Sequence, residues 1–170
     1  MYYDLTIVQF TKMFSNLREI LNKAAAHAEA KKFDVNVLLN SRLAPDQFNF
    51  IRQIQITCDT AKLGVARLTG KTDTVPVHAD TETTLAELQA RIQSVQDYLA
   101  GFSAADFANA DSIKVTNPRW EGKHLLGYDF LMHHVIPNFY FHFTTAYAIL
   151  RHNGVDLGKK DYLGAMPYKQ

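Results

Sequence analysis

The sequence contains one cysteine, Cys58, and almost no excess of charge of either sign. A single cysteine excludes an intrachain disulfide and a cluster of thiolate metal ligands within one chain. The formal net charge is +1, from 18 lysine and arginine residues against 17 aspartate and glutamate residues, so no nucleic-acid-binding surface is indicated. The N-terminal residues lack the basic and apolar pattern of a secretory signal. These features together predict a cytoplasmic protein.

The sequence also lacks the motifs that are typical of common reaction mechanisms. The sequence has no GxGxxG, P-loop, HExxH, CxxC or GxSxG pattern, and each of these would have indicated a phosphate cradle, a metal site or a nucleophile. Cys58 lies on the apolar face of a predicted helix, where a buried thiol acts as a small hydrophobic residue. No single motif therefore assigns a reaction to this chain.

One run of 21 residues, 130–150, contains no aspartate, glutamate, lysine or arginine. That length is sufficient to span a bilayer. The run nevertheless contains three histidines and Pro137, and polar groups of this kind are costly in lipid. We interpret it as a buried helix of a bundle, and we expect no contact with a membrane.

Four segments have apolar residues at helical spacing, and together they predict one all-α domain over residues 1–170. The predicted helices cover residues 4–30, 45–68, 81–99 and 123–154. Pro45 favours the start of the second helix, and Thr84 with Glu87 has capping-box spacing at the start of the third. Pro137 predicts a kink or a break in the last helix.

The connections between these helices carry further information. The eleven residues 70–80 look extended and reach at most roughly 36 Å, which is the length of a helix of about 24 residues. Such a connection can return along the bundle, so the second and third helices can run parallel. Residues 113–115 and 119–120 flank Asn117 and Pro118, and they predict a small β-hairpin before the last helix.

His142 is the most informative polar residue in the sequence. It lies at the centre of the apolar stripe of the last helix, and Asn138 lies one turn earlier on the same side. His134 is eight residues from His142, roughly 12 Å along the axis, so the two cannot bind one metal ion. Three roles stay open for His142: a hydrogen-bonded core residue, part of a ligand pocket, or a metal ligand.

Three segments resemble a bacterial domain-of-unknown-function family that is grouped with the DinB/YfiT-like proteins, among them metalloenzymes. The segments are RLAPDQFNFIRQIQITCDTAKLGVARLTG, DTETTLAELQARI and PNFYFHFTTAYAILRHNGVDLGKKDYLG. The resemblance covers nearly the whole chain. It implies a four-helix bundle with up-down-down-up order, and it implies a homodimer.

The resemblance also implies a place for a metal site. In metal-binding relatives one histidine comes from the second helix and two come from an HxxxH pair on the last helix. His142 corresponds to the second histidine of that pair, Asn138 replaces the first, and Gln53 or Gln55 replaces the histidine of the second helix. Amide oxygens are poor ligands for zinc or nickel beside imidazole. We therefore expect a degenerate site with no bound metal or cofactor.

Three hypotheses about function follow. The preferred one is a protein that binds a small molecule in a polar pocket formed by His142, Asn138, Gln55 and Asp59. The second is a metal-dependent thiol-transferase or hydrolase-like enzyme with a rebuilt metal site. The third is a structural dimer without catalytic activity, in which buried polar residues only fix the register of the helices.

Overall fold

A computed structural model describes residues 1–169 of the chain, and most of these residues are helical. The first helix is preceded by a π-helical turn at Asp4–Val8 that continues into it. The elements follow in the order α1 (Gln9–Lys31), α2 (Asn36–Asn40), α3 (Phe50–Thr69), α4 (Leu85–Ala100), β1 (Lys114–Thr116), β2 (His124–Leu126), α5 (Gly127–Phe130), α6 (Ile136–His152) and α7 (Lys159–Leu163). The predicted all-α fold with a hairpin before the last helix is confirmed.

Helices α3 and α4 run parallel, as the long connection between them predicts. Asp59 on α3 accepts a hydrogen bond from Arg91 on α4, at 2.8 Å. Just beyond the ends of both helices, the Lys71 ammonium lies 5.3 Å from the centre of the Phe102 ring. Residue numbers therefore rise together along the two helices.

The other long helices complete the up-down-down-up order. Gln89 on α4 contacts Asn22, whereas Gln96 contacts Thr11, so α1 and α4 are antiparallel. Helices α3 and α6 are also antiparallel, because Gln53 contacts His142 and Thr60 contacts Asn138. No helix within residues 1–169 combines the length and apolar character needed to cross a membrane.

The core between the long helices is rich in phenylalanine. Phe10 and Phe139 stack with their ring centres 4.1 Å apart, and Phe14 meets Phe139 edge-on at 5.5 Å. All three rings are fully buried. Burying a side chain of this size stabilises a fold by about 1.5–3 kcal/mol, so this cluster fixes α6 against α1.

Two helices begin later than the sequence predicts, in each case at a capping residue. The second long helix begins at Phe50 rather than Pro45, because the Asn49 side chain accepts a hydrogen bond from the Arg52 backbone N–H. The third begins at Leu85, where Thr84 and Glu87 form the predicted capping box. Strong N-caps therefore override the weaker start signals upstream.

Pro137 widens the last helix instead of breaking it. Residues Leu131–Val135 form a π-helical turn that joins α5 to α6, and the backbone is helical throughout. Proline has no N–H to donate to the preceding turn, and a wider turn accommodates the missing bond. The helical run starts at Gly127 rather than Lys123 because residues His124–Leu126 form β2.

The hairpin has the predicted first strand but a different second strand. Val115 on β1 is opposite Leu125 on β2 in an antiparallel pair. Arg119 and Trp120, predicted as strand, lie instead in a 3₁₀ turn, Pro118–Trp120, capped by the Asn117 side chain. Proline at the first position and an asparagine cap favour a helical turn, so the connection is longer than a tight hairpin loop.

Candidate functional site

His142 is buried on α6 and paired with a glutamine of α3. Its Nδ1 lies 2.7 Å from Gln53 Oε1, and Gln53 Nε2 donates to the Phe48 carbonyl at 3.0 Å. Since the amide nitrogen of Gln53 is used by Phe48, its oxygen faces the histidine and Nδ1 of the ring must donate. The second ring nitrogen, Nε2, then carries a lone pair.

The surroundings of His142 keep this ring neutral. Burial disfavours the charged imidazolium, and the Arg52 guanidinium nearby adds electrostatic repulsion, so the pKa of His142 falls from 6.5 to about 4. At neutral pH the side chain is therefore a hydrogen-bond donor through Nδ1 and an acceptor through Nε2.

Asn138 forms a second polar link between the same two helices. Its Nδ2 donates to the Thr60 hydroxyl at 2.6 Å, and Thr60 is buried on α3. Asn138 and His142 thus lie one turn apart on α6, as predicted, and each contacts a polar residue of α3.

Gln55 and Asp59, the other two residues of the predicted pocket, face α4 and the connection that precedes it. Gln55 Nε2 donates to Glu82 at 2.9 Å, while Asp59 is 2.8 Å from Arg91 and 3.0 Å from Lys62. Two residues along a helix correspond to a rotation of about 200°. The structure accordingly places Gln53, and not Gln55, beside His142.

Sequence reasoning missed the buried cation to which Asp59 is bound. The Arg91 side chain is 1% exposed, and its guanidinium also lies 2.6 Å from Asp80 and 3.0 Å from Glu82. Burial opposes the charge, but the three carboxylates outweigh it and raise the pKa of Arg91 above its ordinary value. The only signal in the sequence is a charged residue next to Ile92 on the apolar stripe of α4.

A cavity of about 480 Å³ opens between α3, α6 and the turn that connects the two strands. Asp59, Asn138 and His142 line it, whereas Gln55 does not. The lining also contains apolar, aromatic and basic side chains, which are Phe48, Arg52, Ile56, Leu63, Arg67, Arg119, Phe130, His134 and Val135. Three of the four predicted pocket residues are therefore brought to one cavity.

The donors in this cavity do not fit the metal site of the resembling family. Gln53 occupies the ligand position of the second helix, and both ends of its amide are already hydrogen-bonded. Within residues 1–169 no three histidine, cysteine, aspartate or glutamate side chains are close enough to hold one ion. Of the three positions that match the family's ligands, Gln53, Asn138 and His142, only His142 has the donor chemistry that zinc or nickel requires.

Comparisons with other proteins agree with this architecture. A family model described as "Domain of unknown function (DUF1993)" matches residues 2–163. The crystal structure of a DinB family member from Shewanella denitrificans is 68% identical in sequence, with a TM-score of 0.98, and the match covers 100% of this chain and 96% of that one. A search of curated proteins finds no match.

Proposed function

This chain belongs to the DUF1993 family, as its resemblance to that DinB-related group implied, and we propose that it binds a small molecule in the cavity between α3 and α6. The observation that carries this proposal is the cavity itself. Its volume of about 480 Å³ lies within the range of ~300–1,000 Å³ typical of ligand sites. Polar and charged groups converge on it from two helices and lie beside apolar side chains such as Ile56, Leu63 and Phe130, so the cavity offers both hydrogen-bonding and apolar contacts.

The polar groups have defined hydrogen-bonding roles. Gln53 fixes the ring of His142 so that Nε2 is an acceptor, and Thr60 accepts from Asn138. Asparagine retains a second N–H and a carbonyl for further bonds, and a hydroxyl can both donate and accept. A ligand with a hydroxyl or amide group therefore fits the middle of the cavity.

The two other hypotheses explain less of the structure. A purely structural role accounts for the Gln53–His142 and Asn138–Thr60 pairs, since both link α3 to α6, but it does not account for a cavity beside them. A metal-dependent transferase or hydrolase would need two or three further good ligands near His142. Of the three hypotheses, ligand binding accounts for the most features of the structure.

We further propose that the protein is a cytoplasmic homodimer. The single cysteine is buried, which suits a reducing compartment. The exposed aromatic rings of Phe48 and Phe141, 55% and 56% exposed, lie beside the His142 region and are suited to burial against a second copy.

The test is a thermal-shift screen of neutral, anionic and cationic small metabolites with three proteins. Ile56 lines the cavity, and Ile56→Trp fills it; Ile51, half-buried on the same helix but outside the cavity, supplies the control Ile51→Trp. We expect at least one compound to stabilise the wild type saturably, by about 2.7 kcal/mol at 100 times its Kd. The effect should persist in Ile51→Trp and vanish in Ile56→Trp; equal effects in both variants would refute the proposed site.

A further inference from the structure

The cavity is basic at the end farthest from His142. Arg67, near the C-terminus of α3, and Arg119, in the turn between the strands, both line it. Within residues 1–169, neither guanidinium has a carboxylate within ion-pair distance. The one carboxylate of the lining, Asp59, is bound to Arg91 and Lys62, so it does not neutralise this end.

His134 lines the cavity together with the two arginines. Gly64, one turn before Arg67 on α3, packs against Val135, the residue after His134. Burial lowers the pKa of His134, and the charge of Arg67 lowers it further. On its other side the His134 ring is 5.8 Å from the ring of Trp120, the residue after Arg119. Both arginines and His134 therefore line the same cavity.

Arg52 belongs to the opposite end. It is fifteen residues from Arg67 on the same helix, which corresponds to about 22 Å, and it is bound to Asp80 at 2.5 Å. One small anion cannot contact Arg52 and Arg67 together. In the part of the chain that the structure describes, the cavity thus has a basic end whose arginines are not paired with carboxylates and a second end, at His142, whose arginine is paired.

Arg67 is half-buried, and within residues 1–169 it has no carboxylate within ion-pair distance. Partial burial removes water from around its guanidinium, and this lowers the pKa of Arg67. Removing a charge from water is unfavourable unless a counter-charge replaces the lost hydration. The planar guanidinium group binds carboxylates and phosphates through two parallel hydrogen bonds.

Building on the proposed function, we propose that Arg67 and Arg119, with His134 between them, bind the carboxylate or phosphate group of the ligand. The rest of the ligand lies along Ile56 and Leu63 towards Asn138. His134 and His142 are about 12 Å apart along the helix, which leaves room for a body of one aromatic ring and a short chain. The substrate class is therefore an organic anion with an apolar body.

The test is calorimetric titration at low ionic strength with three probes: phenyl phosphate, 3-phenylpropionate and 3-phenylpropionamide. The neutral amide should bind about tenfold more weakly than the better anion, because a charge-assisted pair contributes about 1.4 kcal/mol or more. A preference for phenyl phosphate identifies a phosphoester ligand, and a preference for 3-phenylpropionate identifies a carboxylate. Amide binding equal to that of both anions would overturn the proposal.

Substitutions of the two arginines test where the anion binds. Arg67→Gln and Arg119→Gln should each weaken anion binding about tenfold and leave amide binding within about twofold. The matched control is Arg151→Gln, because Arg151 is exposed on the last turn of α6 and does not line the cavity. Arg119 is exposed in a turn, so its variant keeps the test decisive if Arg67→Gln fails to fold. If Arg119→Gln binds the anion as tightly as the control Arg151→Gln does, the proposed subsite is refuted.

The two proposals fail in different ways. If all three probes bind equally and Ile56→Trp abolishes their binding, the cavity is a ligand site and the anion subsite is wrong. If an anion binds through Arg67 and Arg119 but Ile56→Trp does not affect it, the subsite exists outside the proposed cavity.

Discussion

At the scale of single residues, His142 is neutral because it is buried beside Arg52. Its folded-state pKa of about 4 lies below its ordinary 6.5, so between these values the unfolded chain binds more protons than the folded one. Stability that is fully present above pH 6.5 is then lost as pH falls towards 4, by up to about 2–3 kcal/mol. Denaturant titrations of the wild type from pH 7.5 to 4 measure this loss.

The matched variants for this prediction are His142→Gln and His152→Gln. Glutamine can still donate to Gln53 but does not titrate, so the pH-dependent loss should shrink by that amount in His142→Gln. His152 is exposed at the end of α6, and its variant should follow the wild type. If the free energy of unfolding falls with pH equally in His142→Gln and in the wild type, the assigned pKa of His142 is contradicted.

Arg91 is the common counter-charge of three carboxylates. We expect Arg91→Met to lower the free energy of unfolding by about 3 kcal/mol, because Asp59, Asp80 and Glu82 lose their common counter-charge. Arg18→Met is the control, since Arg18 donates only to glutamine side chains on α4. Urea denaturation at pH 7 compares them, and equal losses would show that the network contributes little.

The sequence predicts some of these residues and not others. The central place of His142 and the position of Asn138 follow from helical spacing alone. The choice between Gln53 and Gln55 does not, because it depends on the rotation of α3 against α6. The role of Arg91 was missed because an apolar stripe predicts burial, whereas its partners come from a connection with no regular pattern.

At the scale of elements, the joint between the hairpin and α5 depends on Gly127. A Cβ atom at this position would lie 1.8 Å from the Ala110 carbonyl oxygen, and that atom belongs to the backbone. Gly127→Ala should therefore destabilise the protein by about 2 kcal/mol or more. The control is Gly158→Ala, where a Cβ meets nothing within 4 Å and only a weak helix cap is lost. Similar melting temperatures for the two variants would be inconsistent with the close approach.

Element boundaries show where local patterns suffice. The capping box at Thr84 is readable in the sequence and forms as expected. The sequence predicts a start for α3 at Pro45, five residues before Phe50, but the stronger Asn49 cap fixes the start in the structure. The sequence predicts the second strand at Arg119 and Trp120 rather than at His124–Leu126, because a three-residue strand has too little pattern to identify.

At the scale of the whole molecule, the up-down-down-up order followed from the length of one connection and from the family resemblance. The proposed homodimer predicts sedimentation at twice the chain mass of 19.3 kDa at micromolar concentration. Phe141→Asp places a charge on the exposed aromatic surface of α6 and should dissociate the dimer. Tyr168→Asp, at an exposed position near the C-terminus, is the control. A wild-type protein at the monomer mass would refute the dimer.

The most direct test of the central claim is a methyl NMR titration of isoleucine- and leucine-labelled protein with 3-phenylpropionate and phenyl phosphate. Ile56 and Leu63 line the cavity, whereas Ile92 is buried on α4 outside it. We predict saturable shifts of the Ile56 and Leu63 methyl signals with at least one of the two anions, with the Ile92 signal unchanged. Saturable binding that leaves Ile56 and Leu63 unshifted, or no saturable shift with either anion, would contradict a site for organic anions between α3 and α6.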